Sequence, residues 1–586
     1  MHPIHLSRSL PQRRRQAYLT ILVFLLTLAP LGFGHTDFGK SSASLTILLL
    51  VATLVYGALF YLLVLRLEYT RSLLAPLARR TQRALLNPPL WIFLPVLCLL
   101  FLSLSLAISF YVFEAIPRVT DTNAQYVHAK MLAQGYLTFP SHRLPQFFDF
   151  NHMINNGRWY SQFPPGHVFL LALGHWLHIP WIVNPLMGML SLLAIYFLAR
   201  ETHGELTSRT AAVLTVLCPF VVFMSSEYMN HATTLLFTTL FILFFIRSER
   251  APRARHAILA ASALGIVFVT RPLTALAISI PWVAHGVHAL VENPRKYVRL
   301  CILMTMIFAF FVMIQLGFNY LTNGNPLTYG YAVVHGEDHV PQFGSIPASY
   351  GGGTHTLWRG IGQTFNNLNA LNFFLFRWPF PSLIFVLGVF LSFSRNRINY
   401  LFLATLFSLL GVHLFYFFQD WCFGPRFVYE ASGLMIILTA SGILRLPILI
   451  AAAAGRVAFP RQMIYGAAVG FLAGMFAVSL VFFLSPSFSM RFDYCFRNTD
   501  NLQRRLEEQY DLNNALVFIT AKYYWVVGHV NPQSDDAPVI YARNLGKKNQ
   551  ELIDIYPERK VYLEENGELT LIRPEPTPFA LPRARQ

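Results

Sequence analysis

The residues of this sequence best suited to chemistry are acids and arginines that lie close to long apolar stretches. Asp121 opens a polar segment and Glu227 lies in a short polar turn, whereas Arg271 and Arg426 each lie next to a proline. A carboxylate can act as a general base on a hydroxyl group. A guanidinium can hold a phosphate and stabilise charge that develops on it. We therefore predict Asp121 and Glu227 as catalytic residues and Arg271 and Arg426 as phosphate ligands.

Further polar residues accompany these four in the sequence. Lys130 is a third candidate ligand of a phosphate. The candidate substrate-binding residues are His128, Tyr160, Asn230 and His231. All of them lie in polar segments that interrupt the apolar ones, so the segments that position them are predicted to be loops, tight turns and one short helix.

Each candidate also has a purely structural alternative. An aspartate often caps a helix, and Asp121 would cap one that begins near Thr122. Glu227 could be a solvated turn residue, and His231 could be an interfacial histidine at the start of a membrane span. Arg271 could extend towards lipid headgroups. The residue types alone leave both interpretations open.

The composition is that of a membrane protein. Hydrophobic residues make up 55% of the chain and charged residues only 12%. Several nearly charge-free runs reach the roughly 20 residues that a helix needs to cross a bilayer. These runs are continuous and do not alternate, which favours helices over a membrane barrel. The fold class predicted is an all-α polytopic membrane protein with a small C-terminal α/β domain.

The net charge of +17 has a pattern that indicates topology. Basic clusters such as Arg13–Arg15, Arg247–Arg255 and Arg445–Arg461 alternate with loops poor in lysine and arginine, such as 322–353. This alternation is typical of basic loops retained in the cytoplasm. Because no nucleic-acid-binding signature accompanies the charge, we predict a lipid bilayer and no nucleic acid as partner.

The same pattern decides how many spans to predict. The apolar run within 167–181 is too short to cross, and counting it as a span would invert every later basic loop, so we predict an interfacial or re-entrant helix there. The N terminus is then cytoplasmic and the C terminus extracytoplasmic, in the inner membrane of a bacterial cell. The thirteen predicted spans are 17–34, 43–65, 90–113, 182–199, 210–226, 231–246, 257–270, 272–290, 299–320, 371–393, 399–418, 427–444 and 463–484.

Three domains follow from this division. Residues 1–89 form an N-terminal two-helix membrane extension, 90–484 a transmembrane catalytic domain with the outer loop 114–181, and 485–586 an extracytoplasmic α/β domain. Short β-branched and aromatic runs near 516–520, 538–543, 560–563 and 569–572 predict the strands of that last domain. The pair Asn566-Gly567 predicts a type I′ hairpin turn between the last two strands.

The acids and arginines fall on the predicted outer face, around an aromatic loop. Motifs of soluble enzymes and of metal sites, such as His-Glu-x-x-His or the phosphate-binding Gly-rich loop, do not occur. We therefore predict no cofactor and leave a divalent metal open. Acids and arginines together at a membrane surface are what sugar transfer from a lipid-linked phosphosugar would need, with a groove between spans for the lipid tail.

The order of these features resembles the GT-C membrane glycosyltransferases, in particular the branch of the protein O-mannosyltransferases and the lipid A aminoarabinose transferase. Asp121 stands where that branch has an outer-loop aspartate. The sequence 126–135 resembles its Tyr-x-x-x-Ala-x-x-Leu-x-x-Gly helix, and 163–166 resembles its Pro-Pro-Gly corner. The resemblance extends over about 90–290 and the turn at 424–426. It implies a transferase whose donor is a polyprenyl-phosphate-linked sugar and whose acceptor is a lipid, a glycan or a protein. We predict an inverting enzyme, since a single displacement at the anomeric carbon inverts it.

The sequence departs from that branch at three positions. Thr122 replaces the second acid of an Asp-Glu pair, Ala124 replaces a basic residue, and Phe163 replaces a lysine before the two prolines. Phosphate binding then falls to Arg271 and Arg426 first. The resemblance therefore implies the superfamily and not the aminoarabinose reaction.

Two functions of other classes are alternatives. A transporter or flippase of lipid-linked or envelope substrates predicts paired repeats or charges deep within spans. The sequence has no internal repeat, and Glu430 is among the few acids near a predicted span. A non-catalytic scaffold would tolerate the change Asp121→Asn.

Overall fold

The structure, a computed structural model, describes residues 67–336 without a break. The other described residues are 18, 47, 50, 51, 53–59, 340–347, 351–378, 380–392, 394, 396–419, 421, 423–453, 461–481, 502–520, 524–528 and 537–573. The predicted span 17–34, apart from Tyr18, and part of the span 43–65 lie outside the described residues.

The chain forms two compact units, which we call the helical unit and the loop unit. The helical unit consists of Met1–Val112, Asn184–Ile314 and Asp338–Phe492. The loop unit consists of Phe113–Val183, Gln315–Glu337 and Asp493–Gln586. The predicted domain limits at 89 and 484 stay predictions.

The described part of the chain is mostly helical, and its strands are short and confined to loops and the C-terminal region. The α-helices are α1 Leu67–Leu86, α2 Leu90–Tyr111, α3 Thr120–Ala133, α4 Pro165–Trp176, α5 Val183–His203, α6 Glu205–Val216, α7 Pro219–Met224, α8 His231–Arg250, α9 Ala254–Phe268, α10 Pro272–Glu292, α11 Pro294–Asn323, α12 Gly330–His335, α13 Leu357–Phe374, α14 Ile384–Leu391, α15 Arg397–His413, α16 Ser432–Ala453, α17 Arg461–Ser479, α18 Leu502–Gln509, α19 Tyr524–Val527 and α20 Asn549–Ile555. The strands are β1 Phe139–Pro140, β2 Met153–Asn155, β3 Arg158–Ser161, β4 Gly344–Ser345, β5 Thr354–His355, β6 Ala515–Ile519, β7 Val539–Arg543, β8 Lys560–Glu565 and β9 Glu568–Arg573.

Several of these helices can cross a membrane, and the protein is a multi-pass membrane protein. Among the described residues, six helices are long and apolar enough. They are Leu90–Tyr111, Pro180–His203, His231–Arg250, Pro272–Glu292, Pro294–Asn323 and Arg426–Leu446. Three shorter apolar helices, Ala254–Phe268, Arg397–His413 and Gly466–Ser479, accompany them.

Among the predicted spans that the structure describes, two are not single helices. The run 210–226 divides into α6 and α7, because Pro219 starts a new helix at its first position after the extended Cys218. A proline has no backbone N–H and clashes with the preceding turn, so it opens a helix more easily than it continues one. The run 371–393 holds only the end of α13 and the short α14, with Arg377 between them at φ 50°.

The loop unit begins with the outer loop. Strands β1, β3 and β2 form a small antiparallel sheet in that order, with Met153 paired to Ser161 and Asn155 to Trp159. The helix α4 that follows has 12 residues, fewer than a helix needs to cross the bilayer. The Pro165 at its first position fixes where it begins.

The C-terminal region folds as predicted into a small α/β structure. Strands β6, β7 and β8 are parallel and β9 is antiparallel, in the order β7-β6-β8-β9. All five side chains of β6 are buried, as in the central strand of a covered parallel sheet. Asn566 and Gly567 both have positive φ, at 55° and 88°, as the predicted hairpin turn requires.

The outer loop and the C-terminal sheet share one hydrophobic core inside the loop unit. Phe147 and Phe148 of the loop pack with Leu516, Phe518 and other buried side chains of the sheet and of α20. The rings of Phe147 and Phe518 meet edge to face with centroids 6.2 Å apart. The imidazole of His142 is 2.9 Å from the hydroxyl of Tyr556. The C-terminal sheet therefore anchors the loop that carries Asp121.

We expect Phe147→Ala to destabilise the loop unit by about 3–5 kcal/mol, because a fully buried phenylalanine leaves a cavity when it is truncated. The measurement is the rate of limited proteolysis in the loop and the C-terminal region, together with thermal unfolding in detergent. Phe169→Ala is the matched control, because the Phe169 side chain is 57% exposed. Equal protease resistance of both variants would contradict the shared core.

Candidate functional site

Asp121 lies in the first turn of α3, where the positive end of the helix dipole favours a carboxylate. The helix begins at Thr120, and its N-cap is Val119. Thr122 closes the end of the helix, since its hydroxyl accepts a hydrogen bond from the Val119 N–H at 3.2 Å and donates one to the Val119 carbonyl at 2.8 Å. The alternative that Asp121 is the N-cap of a helix starting near Thr122 is therefore wrong.

The Asp121 carboxylate pairs with a histidine that sequence reasoning missed. His152 Nε2 lies 2.9 Å from Asp121 Oδ1 and 3.2 Å from the Thr120 hydroxyl. The side chains are 16% exposed for His152 and 19% for Asp121, so a substrate can reach the pair. The remaining ring nitrogen, Nδ1, is 2.9 Å from the amide nitrogen of Gln162.

The hairpin of β2 and β3 determines the position of His152. His152 has φ 70°, in the left-handed region, and its carbonyl accepts a hydrogen bond from the Gln162 N–H at 3.0 Å. An L residue is held in this region only when its surroundings require it. With the Gln162 amide nitrogen donating to Nδ1, the His152 proton is on Nε2 and is directed at Asp121.

A second histidine lies beside this pair. The His335 ring, at the end of α12, has its centroid 6.1 Å from that of His152. Burial and the nearby His152 lower the pKa of His335 to about 4, although Asp121 acts in the opposite direction. His335 is therefore neutral at neutral pH. The Asp121 carboxylate thus lies close to two histidines.

His128 and Tyr160 are held by other parts of the loop unit. His128 is completely buried, with Nδ1 2.9 Å from the Ser161 hydroxyl and Nε2 3.0 Å from the Leu137 carbonyl. Burial lowers the pKa of His128 to about 4, so it is neutral. The Tyr160 hydroxyl donates to the Asn323 side chain at 2.7 Å. The hydrogen bonds of both side chains therefore stabilise the position of β3.

Lys130 lies in the last turn of α3, and its side chain is half-buried. Burial lowers the pKa of Lys130 below its usual range. Burial and the nearby Lys130 also lower the pKa of His175 to about 4. The His175 ring meets the Tyr126 ring edge to face, with centroids 4.4 Å apart. This group belongs to the packing of α3 against α4.

The helical unit contains a second cluster, centred on Arg271. The Arg271 guanidinium contacts the His231 ring, and its Nη1 is 3.4 Å from the Asn230 side-chain oxygen. Its Nε donates to the Thr274 hydroxyl at 3.1 Å. Pro272 begins α10 directly after it and fixes the backbone there. The predicted residues Arg271, Asn230 and His231 therefore form one group.

Glu430 completes this cluster. The Glu430 side chain is fully buried, and its Oε1 lies 3.6 Å from Arg271 Nε. The Thr234 hydroxyl donates to the same oxygen at 2.7 Å. Sequence reasoning placed Glu430 near a span without a role. No local sequence signal links Glu430 to Arg271, because the two residues meet only through the tertiary fold.

Glu227 and Arg426 lie around the same turn. Glu227 is 1% exposed, so the alternative that it is a solvated turn residue is wrong. The Asn184 side-chain amide donates to the Glu227 carbonyl and, at 2.7 Å, to the Met229 carbonyl. The Arg426 guanidinium is buried and lies 3.9 Å from the Met229 sulfur. Arg271 and Arg426 thus both contact the turn 229–231.

The predicted site residues fall into two groups, one in each unit. Asp121, His128, Lys130 and Tyr160 belong to the loop unit. Glu227, Asn230, His231, Arg271 and Arg426 belong to the helical unit. Within the described ranges, no group of three or more His, Cys, Asp or Glu side chains is arranged to hold a metal ion.

We expect the stability of the protein to depend on the protonation of His128. Below about pH 6.5 the unfolded chain takes up a proton that the buried His128 of the folded protein refuses until about pH 4, so stability falls as the pH falls through this range. The shift corresponds to about 3 kcal/mol.

His128→Gln, which retains a donor and an acceptor, should make thermal unfolding in detergent less dependent on pH between 4 and 6.5. His288→Gln, at a well-exposed side chain, is the control. An unchanged pH dependence in His128→Gln would contradict the buried neutral state.

Comparison with known proteins gives one family. Residues 164–316 match the family model of the dolichyl-phosphate-mannose-protein mannosyltransferases. The match includes Arg271 and the turn with Glu227, whereas Asp121 and Arg426 lie outside it. No curated protein sequence matches the chain.

Solved structures with a similar chain path share little sequence with this protein. ArnT from Cupriavidus metallidurans bound to undecaprenyl phosphate is 13% identical, with 79% of this chain and 88% of that chain covered and a TM-score of 0.47. The apo oligosaccharyltransferase of Archaeoglobus fulgidus is 13% identical, with 74% and 63% covered and a TM-score of 0.39. The same archaeal enzyme in complex with Zn and sulfate is 12% identical, with 80% and 68% covered and a TM-score of 0.45.

The family match covers a segment that carries part of the arginine cluster and overlaps the C-terminal half of the region on which the sequence resemblance rests. It confirms the predicted resemblance to the GT-C membrane glycosyltransferases, and with it the predicted enzyme class, a glycosyltransferase.

Proposed function

We propose that this protein transfers a sugar from a polyprenyl-phosphate donor to a hydroxyl of a lipid, glycan or protein acceptor on the extracytoplasmic membrane face, with inversion at the anomeric carbon. The observation that carries the proposal is the accessible Asp121–His152 pair, with its 2.9 Å contact. The arginine cluster of the helical unit supports it, because a lipid phosphate needs cationic ligands.

Asp121 is the proposed general base. The Nε2–H of His152 donates a hydrogen bond to one carboxylate oxygen and orients the carboxylate. Asp121 takes the proton of the acceptor hydroxyl while the acceptor oxygen forms a bond to the anomeric carbon. The bond from that carbon to the phosphate oxygen breaks, and polyprenyl phosphate leaves with both electrons of that bond. A single displacement of this kind inverts the anomeric centre.

Arg271 and Arg426 are the proposed ligands of the donor phosphate. Arg271 is 14% exposed, so a phosphate can reach it, and Asn230 and His231 hold its guanidinium in place. A guanidinium that hydrogen bonds to the phosphate stabilises the charge that grows as the glycosidic bond breaks. Glu227, buried in the turn that precedes Asn230 and His231, is the proposed second catalytic acid.

His128, Tyr160 and Lys130 support the reaction from the loop unit. The hydrogen bond of His128 to Ser161 and that of Tyr160 to Asn323 fix β3, the strand that precedes Gln162. Gln162 in turn contacts His152. We therefore propose that His128 and Tyr160 position the part of the outer loop that contacts the substrate. Lys130 is a further candidate ligand of the donor phosphate, ranked behind Arg271 and Arg426.

The topology is part of the proposal. We retain thirteen spans, a cytoplasmic N terminus and an extracytoplasmic C-terminal domain in a bacterial inner membrane, on the basis of the distribution of basic loops. A transporter would be expected to carry charges near the middle of a span. Glu430 instead lies one turn into the helix Arg426–Leu446, which does not favour that alternative.

We expect Asp121→Asn to lower the rate of sugar transfer by about 10²–10⁴-fold, because asparagine cannot accept the proton of the acceptor hydroxyl. The measurement is transfer of labelled sugar from polyprenyl-phosphate donors by the purified protein. Asp149→Asn is the matched control, because Asp149 lies in the same loop and its carboxylate accepts a hydrogen bond from Asn155 at 2.6 Å. Transfer that survives Asp121→Asn would overturn the assignment of the base.

We expect Arg271→Ala to raise the KM for the donor by about 10–100-fold, because the phosphate loses a charged hydrogen-bond donor. The acceptor KM should change little. Arg250→Ala removes an arginine from the opposite end of α8, where it pairs with Glu201 at 2.9 Å, and is the control. An unchanged donor KM in Arg271→Ala would exclude Arg271 as a phosphate ligand.

A further inference from the structure

We propose that Glu430 weakens the affinity of the Arg271 site for polyprenyl phosphate, the product, and so allows the product to leave. This inference rests on the proposed function, in which Arg271 holds the donor phosphate. In this inference a buried acid discriminates between the donor, a phosphate diester, and the product, a phosphate monoester.

The first step is the geometry of Glu430. Its side chain has no exposed surface. Its Oε1 accepts a hydrogen bond from the Thr234 hydroxyl at 2.7 Å and forms an ion pair with Arg271 Nε at 3.6 Å. Its Oε2 accepts no hydrogen bond from the described residues. The negative charge of Glu430 is therefore directed at the same guanidinium that the phosphate would use.

The second step is the charge around this pair. Three elements pack against Glu430 or Arg271: α8 contributes His231 and Thr234, the segment before α10 contributes Arg271, and α15 contributes His413 near Arg271. The His413 ring stacks on Phe427 with centroids 5.0 Å apart, and its Nδ1 is 2.8 Å from the Leu409 carbonyl. Among these groups, Glu430 is the anion that faces Arg271.

The third step is the chemistry of the two ligands. The donor phosphate is a diester with a single negative charge. The product phosphate is a monoester with about −1.5 to −2 charges at neutral pH. A fixed carboxylate beside the anchoring arginine repels the product more strongly than the donor, because repulsion grows with the charge of the ligand.

An arginine site without such a counter-charge would hold the product most tightly of all. Each turnover would then end in a trapped complex, and product release would limit the rate. Glu430 lowers the affinity for the product, which has to leave. It lowers the affinity for the donor less, because the donor carries a smaller charge. The burial of the carboxylate makes the effect strong, since water and salt do not screen it.

The experiment measures inhibition by polyprenyl phosphate and the KM for the donor in the intact protein, with wild type, Glu430→Gln and Glu430→Asp. We expect E430Q to lower the inhibition constant of the product by about tenfold or more. The donor KM should fall by a smaller factor. E430D keeps the charge and should resemble wild type. Glu249→Gln, which removes an acid at the opposite end of α8, is the control.

An inhibition constant that is unchanged or higher in E430Q, with the donor KM intact, would overturn the inference. A second measurement uses the wild type alone, in case E430Q does not fold. Binding of polyprenyl phosphate is compared with binding of its methyl diester, and we expect affinities within about threefold of each other. A wild-type preference of about tenfold or more for the monoester, as expected at an arginine site without a counter-charge, would overturn the inference as well.

The same data separate the inference from the proposed function. If Arg271→Ala leaves both product inhibition and the donor KM unchanged, the phosphate is not at this cluster and the proposed function fails at that point. If Arg271→Ala weakens product inhibition and raises the donor KM, whereas Glu430→Gln changes neither, the phosphate site stands and only the role of Glu430 is wrong.

Discussion

Charge that is removed from water must be met by a partner, and both candidate clusters are built around this requirement. An isolated buried charge is costly, whereas a paired and hydrogen-bonded one can be kept. Asp121 is paired with His152, and Arg271 with Glu430, Asn230 and His231. The carboxylate and the guanidinium that a transferase needs would cost the most free energy to bury without these partners. The partners are therefore required for the proposed reaction as well as for stability.

The loop unit shows how the rest of the chain serves one such pair. His152 is held at a positive φ by the hairpin of β2 and β3, and Gln162 at the end of that hairpin orients its ring. The loop that leads to the hairpin is anchored because Phe147 packs into the core of the C-terminal sheet. This arrangement gives the C-terminal region a physical role, which is to fix the loop that carries the proposed base.

Local patterns made part of this structure predictable. The β-branched runs and Asn566-Gly567 predicted the strands and the hairpin turn of the C-terminal sheet, because these signals act between close neighbours. Arg271 could be chosen because a proline follows it in a polar turn. His152 and Glu430 could not, since each meets its partner only through the tertiary fold. The helix break at Pro219 was also missed, because the apolar composition is the same on both sides of it.

The central claim is that a glycosidic bond to a lipid phosphate is broken and a new one is formed. The most direct measurement follows a doubly labelled polyprenyl-phosphate sugar, with one label in the sugar and one in the lipid, in vesicles that contain the purified protein and envelope acceptors. The account predicts that the two labels separate, with one polyprenyl phosphate released for each sugar attached to an acceptor. Labels that stay together on one molecule that crosses the bilayer would contradict it, since that is the behaviour of a flippase.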